Sequence, residues 1–260
     1  MKKILFILSL SLTYTGFAQF FVSNADELHI ADNIPLYTNE DVVNEGTISF
    51  AAGKEIDFML DAGFDNSLGT LNFNDATLII GSGTANANTT DSFLFNTNDN
   101  IKHVVLNKNS GVVNVTAGHL GISETIKLES GNLTAGDNIT LLNPSINDVA
   151  QVLPSTGGTA NLRVERFIPV ASALPISTRG FRFLTSAVNS NGSIYDNWQE
   201  GGNSPDGFGT HITGNNDGTN GVDQTISGNP SMYTFDNTSA DGDGNQGNDW
   251  EAVTDTKGNN

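Results

Sequence analysis

The chain has 260 residues, with 29 Asp and Glu against 11 Lys and Arg, a formal net charge of -18, and no cysteine. That balance excludes a basic nucleic-acid binder, which the phosphate backbone would repel. The missing cysteines exclude a disulfide-stapled domain and Cys-ligated zinc or iron–sulfur sites. Charged residues are only 15% of the chain while glycine alone numbers 28, so Asn, Thr, Ser and Gly carry the polarity. Too few strong helix formers remain for long helices, and the expectation is an all-β protein.

Residues 1–18 read as a secretory signal peptide. Lys2 and Lys3 supply the positive start, Ile4 to Leu12 the apolar run, and Gly16-Phe17-Ala18 the small residues before cleavage. The apolar run is shorter than the roughly 20 residues that span a bilayer, and no second stretch approaches that length. The expected location is therefore secreted or at the outer cell surface.

A repeat follows. Gly46-Thr47-Ile48-Ser49-Phe50 recurs as Gly69-Thr70-Leu71-Asn72-Phe73. Its apolar-x-apolar centre returns at Phe93, Val113 and Leu133, and a second apolar cluster follows each copy. The steps from Ile48 onward are 23, 22, 20 and 20 residues. One repeat of this size cannot bury its own apolar face, whereas stacked repeats form a continuous core. The spacing predicts a parallel β-helix (solenoid) over residues 46–150, with residues 19–45 as its N-terminal cap. A β-sandwich is the alternative.

Beyond the Pro and Gly turns at 144–158, Leu162 to Ile168 and Gly180 to Leu184 alternate as half-buried antiparallel strands do. Residues 160–260 are read as a second all-β unit, a partial β-sandwich-like one. Arg163, Arg166, Arg179 and Arg182 are the chain's only arginines, gathered in 20 residues. They suit either an anion or carboxylate-sugar site or, as the favoured reading, ion pairs with Glu165, Asp196 or Glu200. Asp241, Asp243, Asn245 and Asp249 alternate as oxygen ligands in a calcium loop do, and 215–223 is a second acidic loop. A structural calcium is thus a candidate, beside the plainer reading as solvated turns. Trp198 and Trp250 suit sugar stacking or core packing. His29, His103, His119 and His211 are scattered, and no motif for nucleophilic, phosphate or zinc chemistry occurs.

Residues Arg179-Gly-Phe-Arg-Phe-Leu-Thr-Ser-Ala-Val188 and Ile194-Tyr-Asp-Asn-Trp-Gln-Glu-Gly-Gly202 carry a resemblance. So do Gly207 to Gly214, Gly221 to Thr225 and Asn229 to Phe235. Together they resemble a block in large surface proteins exported by the type IX secretion system of Gram-negative bacteria, where it follows a repetitive Asn/Gly-rich β region. The resemblance implies secretion and an adhesin-like or stalk role, with glycan or extracellular matrix as partner. Such proteins close on a sorting domain, which is not recognisable before Asn260, so a partial product of a larger protein is expected. The leading reading is a non-catalytic surface protein. The alternative is a polysaccharide lyase or hydrolase on a β-helix. Lys54, Lys102, Lys108 and Lys127 are the solenoid's few cations, and its charge would repel an acidic polysaccharide.

Overall fold

The computed structural model describes residues 19–33, 35–54, 56–81, 90–168, 184, 189–190, 192–199, 209–235 and 249–258. The expected signal peptide, Arg179, Arg182, Asp241, Asp243 and Asn245 lie outside these residues. The chain divides into two compact units, 1–183 and 184–260.

The first unit is a parallel β-solenoid of about six turns, its coils stacked along three ladders of strands. The opening coil holds β1 (Phe20–Val22), β2 (Glu27–Ile30) and β3 (Leu36–Thr38). The next holds β4 (Val42–Asn44), β5 (Thr47–Phe50) and β6 (Asp57–Leu60), and the third β7 (Phe64–Asp65), β8 (Thr70–Asn72) and β9 (Thr77–Ile80). Then come β10 (Thr90–Leu94) and two long strands that bend through corners, β11 (Asp99–Ala117) and β12 (Leu120–Leu141). The stack ends with β13 (Gln151–Val152) and β14 (Thr159–Val164).

The register follows from alternation. On the third ladder Leu36, Phe58, Leu78, Val104, Ile126 and Val152 occupy one stacked row. The four middle members point inward and are sealed from solvent. A one-residue slip would turn the whole row outward, so burial fixes the pairing. Inside the early coils the fill is aromatic. Phe50 and Phe73 lie 4.8 Å apart between ring centroids, Phe64 and Phe93 5.8 Å, and Phe93 and Phe95 6.2 Å. Tilted rings at these separations add about 0.5–1.5 kcal/mol per pair beyond the area they bury.

Three expectations change in detail. The strands at 20–22, 27–30 and 36–38 form a full coil, each paired in register with the next, where a cap was expected. The two Gly-Thr motifs do stack, Ile48 on Leu71. Phe93, however, sits on the ladder of Phe64, and Val113 pairs with Leu133, so the apparent series changes face after the third coil. Finally, β14, expected as antiparallel, is parallel to β12 and extends the solenoid. Alternation alone does not distinguish a half-covered last coil from an antiparallel strand.

The second unit contains a short helix α1 (Ile194–Asn197), closed at its start by a capping box between Ser193 and Asp196. It also has a parallel pair, β15 (Thr213–Asn215) with β16 (Asp223–Gln224), and an antiparallel pair, β17 (Tyr233–Phe235) with β18 (Trp250–Ala252).

Candidate functional site

Outward positions on the third ladder also stack, because the sheet alternates with a period of two. Tyr37, Met59, Ile79, Val105 and Lys127 make one outward row. Asp57, Thr77, His103, Thr125 and Gln151 make a second. Neighbouring members of such rows stand about 4.8 Å apart. Tyr37 is half-exposed, and Met59, Ile79 and Val105 are partly exposed. An apolar row thus runs beside a hydroxyl and imidazole row over several coils.

A charged group flanks them. Lys102 contacts Asp75 and lies 3.2 Å from Glu124, whose other oxygen is 3.5 Å from His103 Nε2. His103 Nδ1 is 2.9 Å from Thr125 Oγ1. The Lys102 hydrogen bond and charge hold Asp75 below the ordinary aspartate range, and Asp75 and Glu124 hold Lys102 above the lysine range. These groups are well exposed, so their pairing fixes side-chain positions more than it stabilises the fold.

On the second ladder Ser49 Oγ donates to Glu27 across 2.7 Å, and His29 Nδ1 lies 2.8 Å from the same oxygen. The hydroxyl proton is directed to the carboxylate, so His29 donates to Oγ rather than withdrawing a proton from it. Nucleophilic catalysis needs the histidine between serine and acid. The order here is acid, serine, histidine, which makes a hydrogen-bond relay.

Two polar groups lie inside the solenoid. Asn44 Nδ2 donates to Asn66 Oδ1 (2.6 Å), and Asn66 Nδ2 to Asp99 Oδ2 (2.7 Å), which also accepts Asn96 N–H (2.8 Å). Burial raises the Asp99 pKa above the ordinary aspartate value, and the Asn96 and Asn66 bonds offset part of the rise. The other group is a lysine between two aspartates. Lys108 Nζ is 2.9 Å from Asp61 Oδ1 and 2.6 Å from Asp91 Oδ2. The second contact is a close ion pair, and among the described residues Asp91 Oδ2 has no other polar partner. Burial pushes the Lys108 ammonium down, but the two aspartates push harder, and it titrates above ordinary lysine.

The residues singled out in sequence are dispersed. Arg163 lies on β14, paired with Thr140, and Arg166 follows the strand; neither joins the rows above. The 215–219 part of the acidic loop satisfies itself. Gly218 N–H donates to Asn215 Oδ1 (2.7 Å) and Thr219 N–H to Asp217 Oδ1 (3.1 Å), and Thr219 holds Asp217 below the ordinary aspartate range. Asp223 turns inward, where Oδ2 accepts Ile212 N–H (2.6 Å) and Gln199 Nε2 (3.3 Å). Among the described residues its Oδ1 and Gln199 Oε1 have no hydrogen-bond partner. Asp249 stands just before β18, and among the described residues no group of three or more His, Asp or Glu side chains could hold a metal. Trp250 pairs across the strands with Phe235, ring centroids 4.9 Å apart, and Trp198 caps α1. Among the described residues no helix is long and apolar enough to cross a membrane.

Sequence reading missed the outward rows and both inner clusters. The apolar members of the outer row, Met59, Ile79 and Val105, were a signal. Each occupies the polar phase of an alternating strand.

Comparison with known proteins finds no match among family models, curated proteins or solved structures.

Proposed function

We propose that the protein is a non-catalytic secreted or cell-surface protein whose third solenoid face is a contact surface, adhesin-like or part of a stalk. The observation that carries this reading is the outward row Tyr37, Met59, Ile79 and Val105, set beside Thr77, His103 and Thr125. A regular strip of apolar and hydroxyl groups suits an extended partner such as a glycan chain or a matrix protein, which can repeat its contacts from coil to coil. The start of the sequence supports export, and the resemblance of its second half supports a place in a larger type IX secretion substrate.

The test is binding of the full chain to glycan arrays, matrix proteins and intact cells. The expected result is saturable binding to a restricted set, weakened by about tenfold or more when Tyr37 and Ile79 are both replaced by Ser. Flat profiles would remove the adhesin reading and leave a spacer. Release of unsaturated or reducing sugars from a polysaccharide panel would favour an enzyme instead.

A further inference from the structure

We propose that Lys108 and Asp61 join in an intramolecular isopeptide bond, with Asp91 as the proton carrier. The proposal is independent of the contact-surface reading.

Three features converge. First, the reactants meet in a dry site: the Lys108 and Asp61 side chains are each 0% exposed, Asp91 13%, and Nζ touches both carboxylates. Second, the fold makes a path for the lysine. The third ladder ends with Leu60, Ile80 and Leu106 stacked on one another, so Asp61, Gly81 and Asn107 begin the next corner, with Lys108 one residue on. Gly81 lies between the coils of Asp61 and Lys108. A Cβ there would stand 2.8 Å from Lys108 Cα and 2.5 Å from Asn107 O. Its φ of +91° suits glycine. Third, the two aspartates differ. Asp61 Oδ1 accepts a hydrogen bond from Nζ, and Tyr37 Oη stands 3.5 Å from its Oδ2. Asp91 Oδ2 stands 2.6 Å from Nζ, and among the described residues it has no other polar partner.

The step balances without a co-reactant. Asp91 takes one proton from the ammonium and passes it to Asp61, which leaves a neutral amine beside a neutral acid. Nζ forms a bond to Asp61 Cγ. Asp91 carries a second proton from Nζ to the Asp61 hydroxyl oxygen, and the C–O bond breaks to release water. The product is an amide with one N–H, and Asp91 is again a carboxylate. Buried ammonium and carboxylate become one neutral group, which removes the desolvation burden of that ion pair. The net charge is conserved, because Asp91 keeps its carboxylate at the partly exposed edge of the site, 13% exposed. Because the pair holds Lys108 charged, the relay through Asp91 is required for a nucleophilic amine to form.

The test is the mass of the full-length protein and of its tryptic peptides, measured after denaturation. The expected protein is lighter by one water. Trypsin fails to cut after Lys108, and peptide 103–127 is covalently joined to peptide 55–102, with fragmentation placing the link at Asp61. Lys108→Arg restores the full mass. Asp61→Asn forms the same amide and loses ammonia instead. Asp91→Asn, checked by circular dichroism to keep its β content, keeps the full mass. A parent of full mass cleaved normally after Lys108 overturns the proposal. A link at Asp91 overturns the choice of Asp61, and water loss in Asp91→Asn overturns the relay.

Discussion

Asn44 and Asn66 occupy equivalent corners of successive coils, and the amide of one donates to the carbonyl of the other across 2.6 Å with both side chains sealed from solvent. The Asn44 Oδ1 also accepts Gly46 N–H (3.2 Å), and its amide reaches Thr70 O (3.2 Å). The corner is thus held by side chains where the backbone leaves the ladder.

Asn66→Ala is expected to destabilise the fold by about 3 kcal/mol, because Asn44 and Asp99 each lose a partner while buried. Asn66→Gln is expected to lose a similar amount, since the longer amide overfills the corner. Urea unfolding of the two variants and the parent checks this; a loss below about 1 kcal/mol for Ala would mean that water replaces the bond.

The raised pKa of Asp99 gives a pH dependence of definite sign. The native state holds the proton more tightly than the unfolded chain. Its stabilising contribution is therefore fully present below the ordinary aspartate value and is lost as pH rises through the raised one. Asp99→Asn mimics the protonated form. Relative to the parent, its melting temperature is expected to rise as pH increases through that window and then to level off. A difference that is flat with pH, or that moves the other way, contradicts the assignment.

Phe64→Ala is expected to cost about 3–5 kcal/mol. Phe64 touches the rings of Phe58, Phe93 and Phe95, so its removal opens a cavity spanning three coils. Phe64→Leu keeps most of the volume and is expected to lose less than half as much. Thermal unfolding of both variants measures the ratio, and equal losses would show that the rings matter for their stacking rather than for volume.

Gly118 has φ +78°, and a Cβ there would stand 1.7 Å from Phe95 O. Gly118→Ala must displace the neighbouring coil's backbone. It is expected to lower the melting temperature far more than Gly53→Ala, where φ is +71° but nothing lies within 4 Å of the added atom. Comparable losses at the two sites would leave backbone strain alone as the cause.

The solenoid was legible because coils of nearly constant length repeat one phase of apolar residues. Ile48 over Leu71 follows directly from two copies of one pentapeptide. The slip at Phe93 was not legible: its alternation matches that of Leu71, and alternation shows that a residue points inward without showing on which face. The opening coil was obscured because its inward residues Leu28, Ile30 and Leu36 are only partly buried. The inner clusters were hidden for another reason. Asn44 and Asn66 stand in a chain where Asn is a default turn residue. Lys108 meets Asp61 across 47 positions, a distance that only coil stacking brings together. The outer face was half legible: its hydroxyl row looks like any β surface, whereas the apolar row needed the register before its members could be aligned.

Val42 pairs with Phe20 on one side and Phe64 on the other, each 22 positions away, and Val43 lies likewise between Phe21 and Asp65. The coil is therefore an interchangeable length of chain, and excising 42–63 would bring Phe20 directly against Phe64 with every side chain still in phase. Genetic gain or loss of whole coils changes the reach of such a molecule without requiring a new fold, whereas a one-residue slip within a strand turns its inward side chains outward, and only the corners absorb odd changes, as where Thr47 pairs with Glu27 and with Thr70. Length is free to drift in steps of one coil, and the interior is not.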